Sequence, residues 1–151
     1  MALVSDAGTP GISDPGNQLV AAAVKEFGDN IKIIPVPGAS AAIAALSVSG
    51  FATDKFIFTG FPPVKNKRKK YFQDLLANAF TAVFYESNFR ILKTLNELNE
   101  LNSDKSRQIV VCRELTKTFE TIYRGSIAAV IEKIKKDPLK GEFAAVLEGV
   151  R

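Results

Sequence analysis

The chain carries S-D-A-G-T-P-G-I-S-D-P-G at residues 5–16, directly after the apolar run Ala2-Leu3-Val4. An apolar run that ends in a turn rich in glycine and proline is typical of a buried strand leading into a ligand-binding loop. Glycine lets the backbone approach a ligand closely and adopt positive φ, and proline stiffens the loop between such points. The stretch therefore predicts a strand and a binding loop, and a purely structural turn is the alternative.

A second segment repeats this order of features. The apolar run at 31–35 precedes the turn Val36-Pro37-Gly38, and small residues then open a helix expected from about 40 to 49. Between the two segments, Asp14-Pro15 predicts the start of another helix and Gly28 its end. Two strand–loop–helix units bring two small-residue loops to the same edge of an open α/β sheet, where such sheets bind ligands. The two segments together predict an α/β fold with a binding site built from both loops.

The same segments belong to an ordered set of motifs that resembles a known family. The motifs are V-S-D-A-G-T-P-G-I-S-D-P-G, P-V-P-G-A-S-A-A-I-A-A-L-S-V-S-G, G-F-P-P-V-K, F-Y-E-S, R-E-L-T-K-T-F-E and K-G-E-F. Together they closely resemble the bacterial 16S ribosomal RNA cytidine 2′-O-methyltransferases of the tetrapyrrole (corrin/porphyrin) methylase superfamily. The resemblance covers nearly the whole chain and implies that S-adenosylmethionine binds in a cleft between two α/β domains.

We expect a two-lobed, tetrapyrrole-methylase-like α/β fold. Residues 1–52 would be the remnant of a truncated parallel N-terminal lobe that binds the cofactor, and residues 53–151 a C-terminal lobe with a mixed sheet. Because the resemblance implies further sequence before the first strand, we interpret the chain as a fragment that lacks its N-terminal part. In the second lobe the apolar patterns predict five strands and three helices. The strands are expected at 55–59, 81–85, 108–114, 118–124 and 143–147, and the helices at 67–79, 88–101 and 126–136.

Composition excludes several classes of chemistry. The chain has no histidine and one cysteine, so histidine-based triads, histidine metal sites and a disulfide within one chain are excluded, and we expect no metal. Cys112 lies in an apolar run and is expected to be a buried, inert thiol. No apolar run approaches the roughly 20 residues of a membrane span, and no signal-peptide pattern is present. We therefore expect a cytoplasmic protein without a membrane partner.

The resemblance also implies which residues contact the cofactor. Small side chains and main-chain amides suit a folded S-adenosylmethionine, and the pattern is not the G-x-G-x-x-G dinucleotide motif. The residues implied on the two loops are Ala7, Gly8, Thr9, Pro10, Ile12, Ser40 and Ala41.

Three residues are candidates for the chemistry. Methyl transfer to a ribose 2′-hydroxyl requires alignment, exclusion of water and removal of the hydroxyl proton. By resemblance we favour Glu86, Glu114 and Lys117 as cleft-lining catalytic residues, with Lys117 or Glu114 near the ribose. Each could instead be a surface charge or part of an ion pair. The chain departs from the family at Phe89, where a histidine is usual before the arginine, which leaves Arg90 as the polar residue there.

A basic run predicts an anionic partner. Residues 65–70 hold five cations, and cations at a helix N-terminus oppose the helix dipole, so local stability does not explain them. The run, the net charge of +4 and the aromatic neighbours Phe61 and Tyr71 suit a phosphate backbone, although a solvated surface is the alternative. The candidate RNA-binding residues are Lys65, Lys67, Arg68, Lys69, Lys70 and Arg90.

The sequence leaves three functions open. We favour a methyltransferase that acts on ribosomal RNA or the small ribosomal subunit. A methylase of corrin or porphyrin precursors is the nearest alternative, since acidic substrates would also suit basic residues. A non-catalytic RNA-binding fragment is the third. We also expect a homodimer, because an uncovered strand edge and apolar helix faces favour association with a second copy; Val4, Leu19, Ile33 and Val36 are expected near that surface.

Overall fold

The computed structural model describes residues 1–103 and 105–150. The chain divides into two compact units, Met1–Ser40 and Ala41–Arg151. This division describes the compactness of the present chain, and the predicted boundary between two lobes, after residue 52, stays a prediction.

The first unit contains one α-helix, α1 (Asn17–Phe27), followed by a single 3₁₀ turn at Gly28–Asn30. The predicted helix and its end at Gly28 are confirmed, and the N–H of Gly28 donates to the carbonyl of Val24. The predicted start at Asp14 is wrong, because α1 begins after Gly16. The φ of Gly16 is 134°, a conformation that glycine adopts readily and other residues rarely do.

The two strands predicted for the first unit are not formed. The described backbone at residues 2–4 and 31–35 makes no ladder, and the side chains of Val4, Ile34 and Val36 are exposed. A strand exists only through hydrogen bonds to a partner strand, and no described residue pairs with either segment. The apolar face of α1 is likewise exposed, and no residue of this helix is buried.

The second unit is a mixed α/β structure, as the sequence predicts. All five predicted strands and all three predicted helices of residues 53–151 are present, and the short helix expected near residues 40–49 precedes them. In chain order the elements are α2 (Ala41–Ser47), β1 (Phe56–Phe58), α3 (Arg68–Ala77), β2 (Thr81–Ser87), α4 (Ile91–Leu101), β3 (Gln108–Arg113), β4 (Thr121–Ser126), α5 (Ile127–Ile134) and β5 (Glu142–Leu147).

The five strands form one sheet in the order β1-β2-β5-β3-β4. β1 and β2 are parallel, and every other neighbouring pair is antiparallel, including the predicted hairpin of β3 and β4. β5 lies in the middle, where Val146 is opposite Val83 of β2 and Val110 of β3. As a result the carboxyl ends of β1, β2 and β3 lie at the same edge of the sheet as the beginning of β5.

The side chains of the sheet alternate between two cores. Phe84, Val111 and Ala145 belong to a large cluster with residues of α3, α4 and α5. Val83 and Val110 belong to a smaller cluster that α2 covers. Helices therefore cover both faces of the sheet, and alternate residues of each central strand are buried on opposite sides, as expected for buried strands.

Cys112 is buried in the smaller cluster, as predicted. Burial raises the pKa of its thiol to about 11, so the thiol stays protonated at neutral pH. A protonated, buried thiol is a poor nucleophile, and Cys112 has a packing role. Among the described residues there is no helix long and apolar enough to cross a membrane.

Candidate functional site

The sheet edge at the ends of β1, β2 and β3 collects most of the residues that the sequence singled out. The loop after β1 contains Phe61, the turn after β2 contains Arg90, and the turn after β3 contains Glu114 and Lys117. β5 starts between the second and third of these, because Glu142 is opposite Ser87. Since β5 separates β2 from β3, their ends lie two strand spacings apart, or about 10 Å.

The turn after β3 holds a lysine between two carboxylates. Nζ of Lys117 lies 3.1 Å from Oε1 of Glu114 and 3.0 Å from Oε2 of Glu142. Glu114 is fixed further by the backbone, since its Oε1 accepts a hydrogen bond from the N–H of Glu142 at 2.8 Å and its own N–H donates to the Glu142 carbonyl at 2.9 Å. The lysine is thus held in place by two strands of the sheet.

The backbone of this turn is unusual. Glu114 and Thr116 both have positive φ, 50° and 65°, a conformation that non-glycine residues seldom adopt. Gly141 makes the turn possible, because a Cβ built on it would lie 2.4 Å from Cγ of Glu114. Left-handed residues of this kind cluster at functional sites, where the surrounding structure holds the strain.

The electrostatics of the turn define what its residues can do. The Glu142 N–H bond, followed by the Lys117 bond, lowers the pKa of the Glu114 carboxyl below its usual range. The bonds to Glu142 and Glu114 raise the pKa of Lys117. A carboxylate with a lowered pKa is a weak base, so Glu114 is poorly suited to remove a proton at neutral pH. Lys117 is a fixed cation.

The surroundings of Glu86 argue against the role predicted from the sequence. Its side chain is fully buried, and it accepts hydrogen bonds from the N–H of Ser87 and the hydroxyl of Thr94 at 2.8 and 2.6 Å. Arg90 adds an ion pair at 2.7 Å. A carboxylate with these partners and no exposed surface is poorly placed to line a cleft or to act as a catalytic base. It positions the turn after β2.

The hydrogen-bond network of Glu86 continues into the basic run. Thr94 accepts a hydrogen bond from Nη2 of Arg68 at 2.6 Å. Arg68 also pairs with Glu97 at 2.5 Å and donates to the carbonyl of Pro63 at 2.7 Å, and its guanidinium stacks on Phe72. Arg68 is therefore a buried residue with a structural role, which argues against its predicted contact with RNA.

The other basic residues divide by exposure. Lys65, Lys67 and Lys69 are exposed and make no ion pair with any residue of the described ranges. Lys70 is exposed and pairs with Asp74 at 2.7 Å. Arg90 is largely occupied, because it also donates to the carbonyl of Pro62 at 3.3 Å.

Tyr71 is not an aromatic neighbour of the kind the sequence suggested. Its hydroxyl lies 2.7 Å from Oγ1 of Thr59 and its ring packs edge-on against Phe72. Burial raises the pKa of Tyr71. Tyr71 packs against the larger core, and of the two aromatic neighbours of the basic run only Phe61 is exposed.

The first unit brings the two predicted cofactor loops together. The hydroxyl of Thr9 donates to the carbonyl of Ala39 at 3.3 Å, and a Cβ on Gly8 would lie 3.5 Å from the same carbonyl. Gly8 itself has a φ of 72°, which favours glycine. The backbone N–H groups of Ala7 and Gly8 make no hydrogen bond within the described part of the chain and are free to bind a ligand.

The remaining cofactor candidates fit this arrangement in part. The N–H of Ile12 donates to the carbonyl of Thr9, which closes a tight turn around Pro10. Ser40 ends the first unit, and Ala41 begins α2 of the second unit. In the described ranges no group of three or more acidic or cysteine side chains could hold a metal ion.

Comparison with known proteins places the chain in a family. The family of tetrapyrrole (corrin/porphyrin) methylases matches residues 1–131. The chain belongs to this family. Among solved structures, the methyltransferase CobJ aligns with a TM-score of 0.64 at 19% identity, covering 95% of this chain and 62% of that one. Uroporphyrin-III C-methyltransferase from Thermus thermophilus aligns with a TM-score of 0.58 at 19% identity, covering 93% and 60%. At these identities the structures show the shared α/β fold.

Curated relatives are more similar in sequence. A protein of Synechocystis named ribosomal RNA small subunit methyltransferase I is 47% identical over 99% of this chain and 52% of its own length. The protein of the same name from Halalkalibacterium halodurans is 42% identical over 99% of this chain and 50% of its own. The chain thus spans about half the length of the curated tetrapyrrole-methylase relatives it matches.

Sequence reasoning missed two residues that shape the site. Glu142 contributes a carboxylate to Lys117, and its motif K-G-E-F was noticed without a role for the glutamate. Thr94 links Glu86 to Arg68 from within α4, and no local signal marks it, because a threonine among helical residues is unremarkable.

We expect Glu86→Ala to destabilise the second unit by roughly 3 kcal/mol, because it leaves Arg90 and Thr94 without their buried acceptor. Urea unfolding followed by circular dichroism measures this. Glu132→Ala is the control, since Glu132 pairs with Lys135 on the surface and an exposed pair of this kind contributes little to stability. Equal stability of the two variants would contradict a structural role for Glu86.

We expect Lys117 to titrate above the ordinary range of lysine. The raised pKa means that the ion pairs stabilise the fold below the pKa of lysine in the unfolded chain, and that this contribution is lost as pH rises through the folded pKa. NMR of the ¹³Cε resonance measures the titration. Glu142→Gln and Glu114→Gln should each lower the Lys117 pKa, and Glu132→Gln should leave it unchanged. An unshifted Lys117 in the wild type would contradict the geometry.

Proposed function

We propose that this chain takes part in S-adenosylmethionine-dependent methyl transfer to a ribose 2′-hydroxyl of small-subunit ribosomal RNA. The observation that carries the proposal is identity of 42–47% over 99% of the chain to proteins named ribosomal RNA small subunit methyltransferase I. The arrangement of cations in the second unit and the small-residue loops of the first unit support it.

The first unit supplies the candidate cofactor site. Free N–H groups on Ala7 and Gly8 suit a carboxylate or an adenine acceptor, and small side chains let a ligand approach the backbone. The hydroxyl bond of Thr9 to Ala39 keeps the two loops at a fixed separation. Bound S-adenosylmethionine supplies an electrophilic methyl group. Ala7, Gly8, Thr9, Pro10, Ile12, Ser40 and Ala41 remain the proposed contacts.

Lys117 is the best candidate for chemistry at the hydroxyl. A ribose 2′-hydroxyl is a weak acid, and a fixed cation nearby favours its alkoxide. Glu114 and Glu142 hold the lysine in position by hydrogen bonds, and they keep it protonated. In this proposal Glu114 positions Lys117, which turns one N–H from the exposed Glu142 carboxylate to the oxygen and stabilises its developing negative charge, while the hydroxyl proton passes to solvent water.

The exposed lysines are the proposed contacts to the RNA backbone. Lys65, Lys67 and Lys69 have no carboxylate partner among the described residues, so they are available for phosphate. Lys70 can join them only in competition with Asp74. Arg90 keeps a place beside this surface, with one bond to Glu86 and one to the Pro62 carbonyl already made.

Methylation of a corrin or porphyrin precursor is the second candidate. Its support is the family itself and the fold shared with uroporphyrin-III C-methyltransferase. Sequence identity to that enzyme is 19%, against 42–47% to the ribosomal RNA methyltransferases, so the RNA substrate is favoured.

Assembly and location are part of the proposal. Val4, Leu19, Ile33 and Val36 expose apolar surface in the first unit, and a second copy of the chain would cover it. Light scattering tests the homodimer, and a strict monomer at high concentration would exclude it.

Action on ribosomal RNA implies the cytoplasm, and cell fractionation tests that.

Tritiated S-adenosylmethionine and small ribosomal subunits test the activity directly. We expect label in RNA as an alkali-resistant dinucleotide, because a 2′-O-methyl group blocks hydrolysis of the adjacent phosphodiester. Thr9→Val should weaken cofactor binding by about two- to tenfold through loss of one hydrogen bond. Thr121→Val removes a similar hydroxyl-to-carbonyl bond in β4 and should have no effect. Label in alkali-labile nucleotides, or only in a porphyrin precursor, would overturn the proposal.

We expect the triple variant Lys65→Gln, Lys67→Gln and Lys69→Gln to bind RNA more weakly than the wild type. Each lost phosphate contact should flatten the log–log salt dependence by about one unit, while S-adenosylmethionine affinity stays unchanged. The control removes the same charge from the end of α5, by glutamine substitution of Lys133, Lys135 and Lys136. An unchanged salt slope in the first variant would identify the run as a solvated surface.

A further inference from the structure

Two phenylalanines are exposed at the edge of the sheet where the loop with Lys65 and Lys67 begins. Phe89, in the turn after β2, is 91% exposed, and Phe61, in the loop after β1, is 51% exposed. Apolar rings of this size normally lie in a core, and neither ring belongs to either core cluster. Exposed aromatic side chains grouped with cations mark surfaces that bind a partner.

The two loops that carry these rings are fixed to each other. β1 and β2 are parallel neighbours, so both loops leave the same edge of the sheet. The N–H of Tyr85 donates to the carbonyl of Gly60 at 2.9 Å, and Arg90 donates to the carbonyl of Pro62 at 3.3 Å. Phe61 also packs edge-on against Tyr85, with ring centroids 5.7 Å apart. The rings are thus presented by a rigid part of the second unit.

Within the described ranges, lysines without a carboxylate partner follow one of the two rings in the chain. The buried carboxylate of Glu86 is paired with Arg90, and that of Glu97 with Arg68. Lys65 and Lys67 follow Phe61 in the same loop and have no carboxylate partner among the described residues. A partner that suits this surface must carry both negative charge and flat aromatic faces.

We propose that Phe61 and Phe89 stack against unpaired bases of the RNA substrate while Lys65, Lys67 and Lys69 bind its phosphates. Base stacking on exposed rings and phosphate binding by lysine are the two interactions through which proteins hold single-stranded RNA. The bases of a duplex are stacked on one another and cannot reach the rings. The inference rests on the proposed RNA substrate, and it specifies an unpaired segment of that RNA.

The test uses fluorescence anisotropy with three RNA probes. One is a short single strand, the second is the same strand with abasic ribose at the central positions, and the third is a duplex of equal charge. Phe89→Leu removes the flat ring, and Phe89→Tyr restores it. Phe80→Leu is the matched control, because Phe80 is a partly exposed ring just before β2, at the opposite end of the strand from Phe89.

We expect Phe89→Leu to weaken binding of the single strand by about tenfold at every salt concentration, with an unchanged salt slope. Phe61→Leu should have the same direction of effect. Binding of the abasic strand and of the duplex should be the same for the Phe89→Leu variant and the wild type. Phe89→Tyr and Phe80→Leu should bind all probes as the wild type does.

Three outcomes would overturn the inference, and they are distinguishable. If the lysine variant loses affinity but Phe89→Leu binds the single strand as tightly as the wild type, the stacking role is wrong and the RNA substrate stands. A wild-type chain that binds none of the three probes removes the RNA substrate and the stacking role together. Equal loss of abasic and normal strands in Phe89→Leu would indicate a folding defect in place of lost stacking and would also contradict the inference.

Discussion

The second unit depends on the antiparallel pairing of β5 with both β2 and β3. Without β5, the parallel pair β1–β2 and the hairpin β3–β4 would have no contact within the sheet, because each is joined only to β5. β5 also contributes Ala145 to the larger core and Val146 to the smaller one. β5 is the last strand of the described residues, and its partners β2 and β3 come much earlier in the sequence. Contacts between residues distant in sequence are slow to form.

The same pairing builds the candidate site. Glu142 begins β5, pairs with Ser87 at the end of β2, and reaches Lys117 and Glu114 beyond the end of β3. Lys117 therefore has its position and raised pKa only when β5 is in place. Glu142 therefore links the catalytic candidate Lys117 to the closure of the sheet. The residue before it must be glycine, because a Cβ on Gly141 would collide with the side chain of Glu114. The fold and the proposed chemistry therefore depend on the same residues.

The sequence predicted local structure better than it predicted partners. The elements of the second unit were found because strands and helices there carry their own apolar periodicity, as in β3 and α4. Residues 2–4 and 31–35 have the same kind of pattern and form no strand, because pairing is not a property of one segment. Glu86 and Arg68 were assigned to function for a similar reason. A charged residue gives no local sign of its partner. The partners of Arg68 are Thr94 and Glu97, which lie 26 and 29 residues away in the sequence.

The basic run shows how one segment can serve both packing and binding. Successive helical residues point about 100° apart, so a run of cations at the start of α3 cannot all face solvent. The residue that faces inward is the arginine, whose planar guanidinium meets Glu97, Thr94 and the Pro63 carbonyl at once. A lysine in its place would offer one charged nitrogen to three acceptors in different directions. The outward positions are lysines, whose flexible side chains suit phosphates of variable position. Because Arg68 donates to the carbonyl of Pro63 and Arg90 to that of Pro62, two arginines hold the loop that presents Phe61 and the lysines.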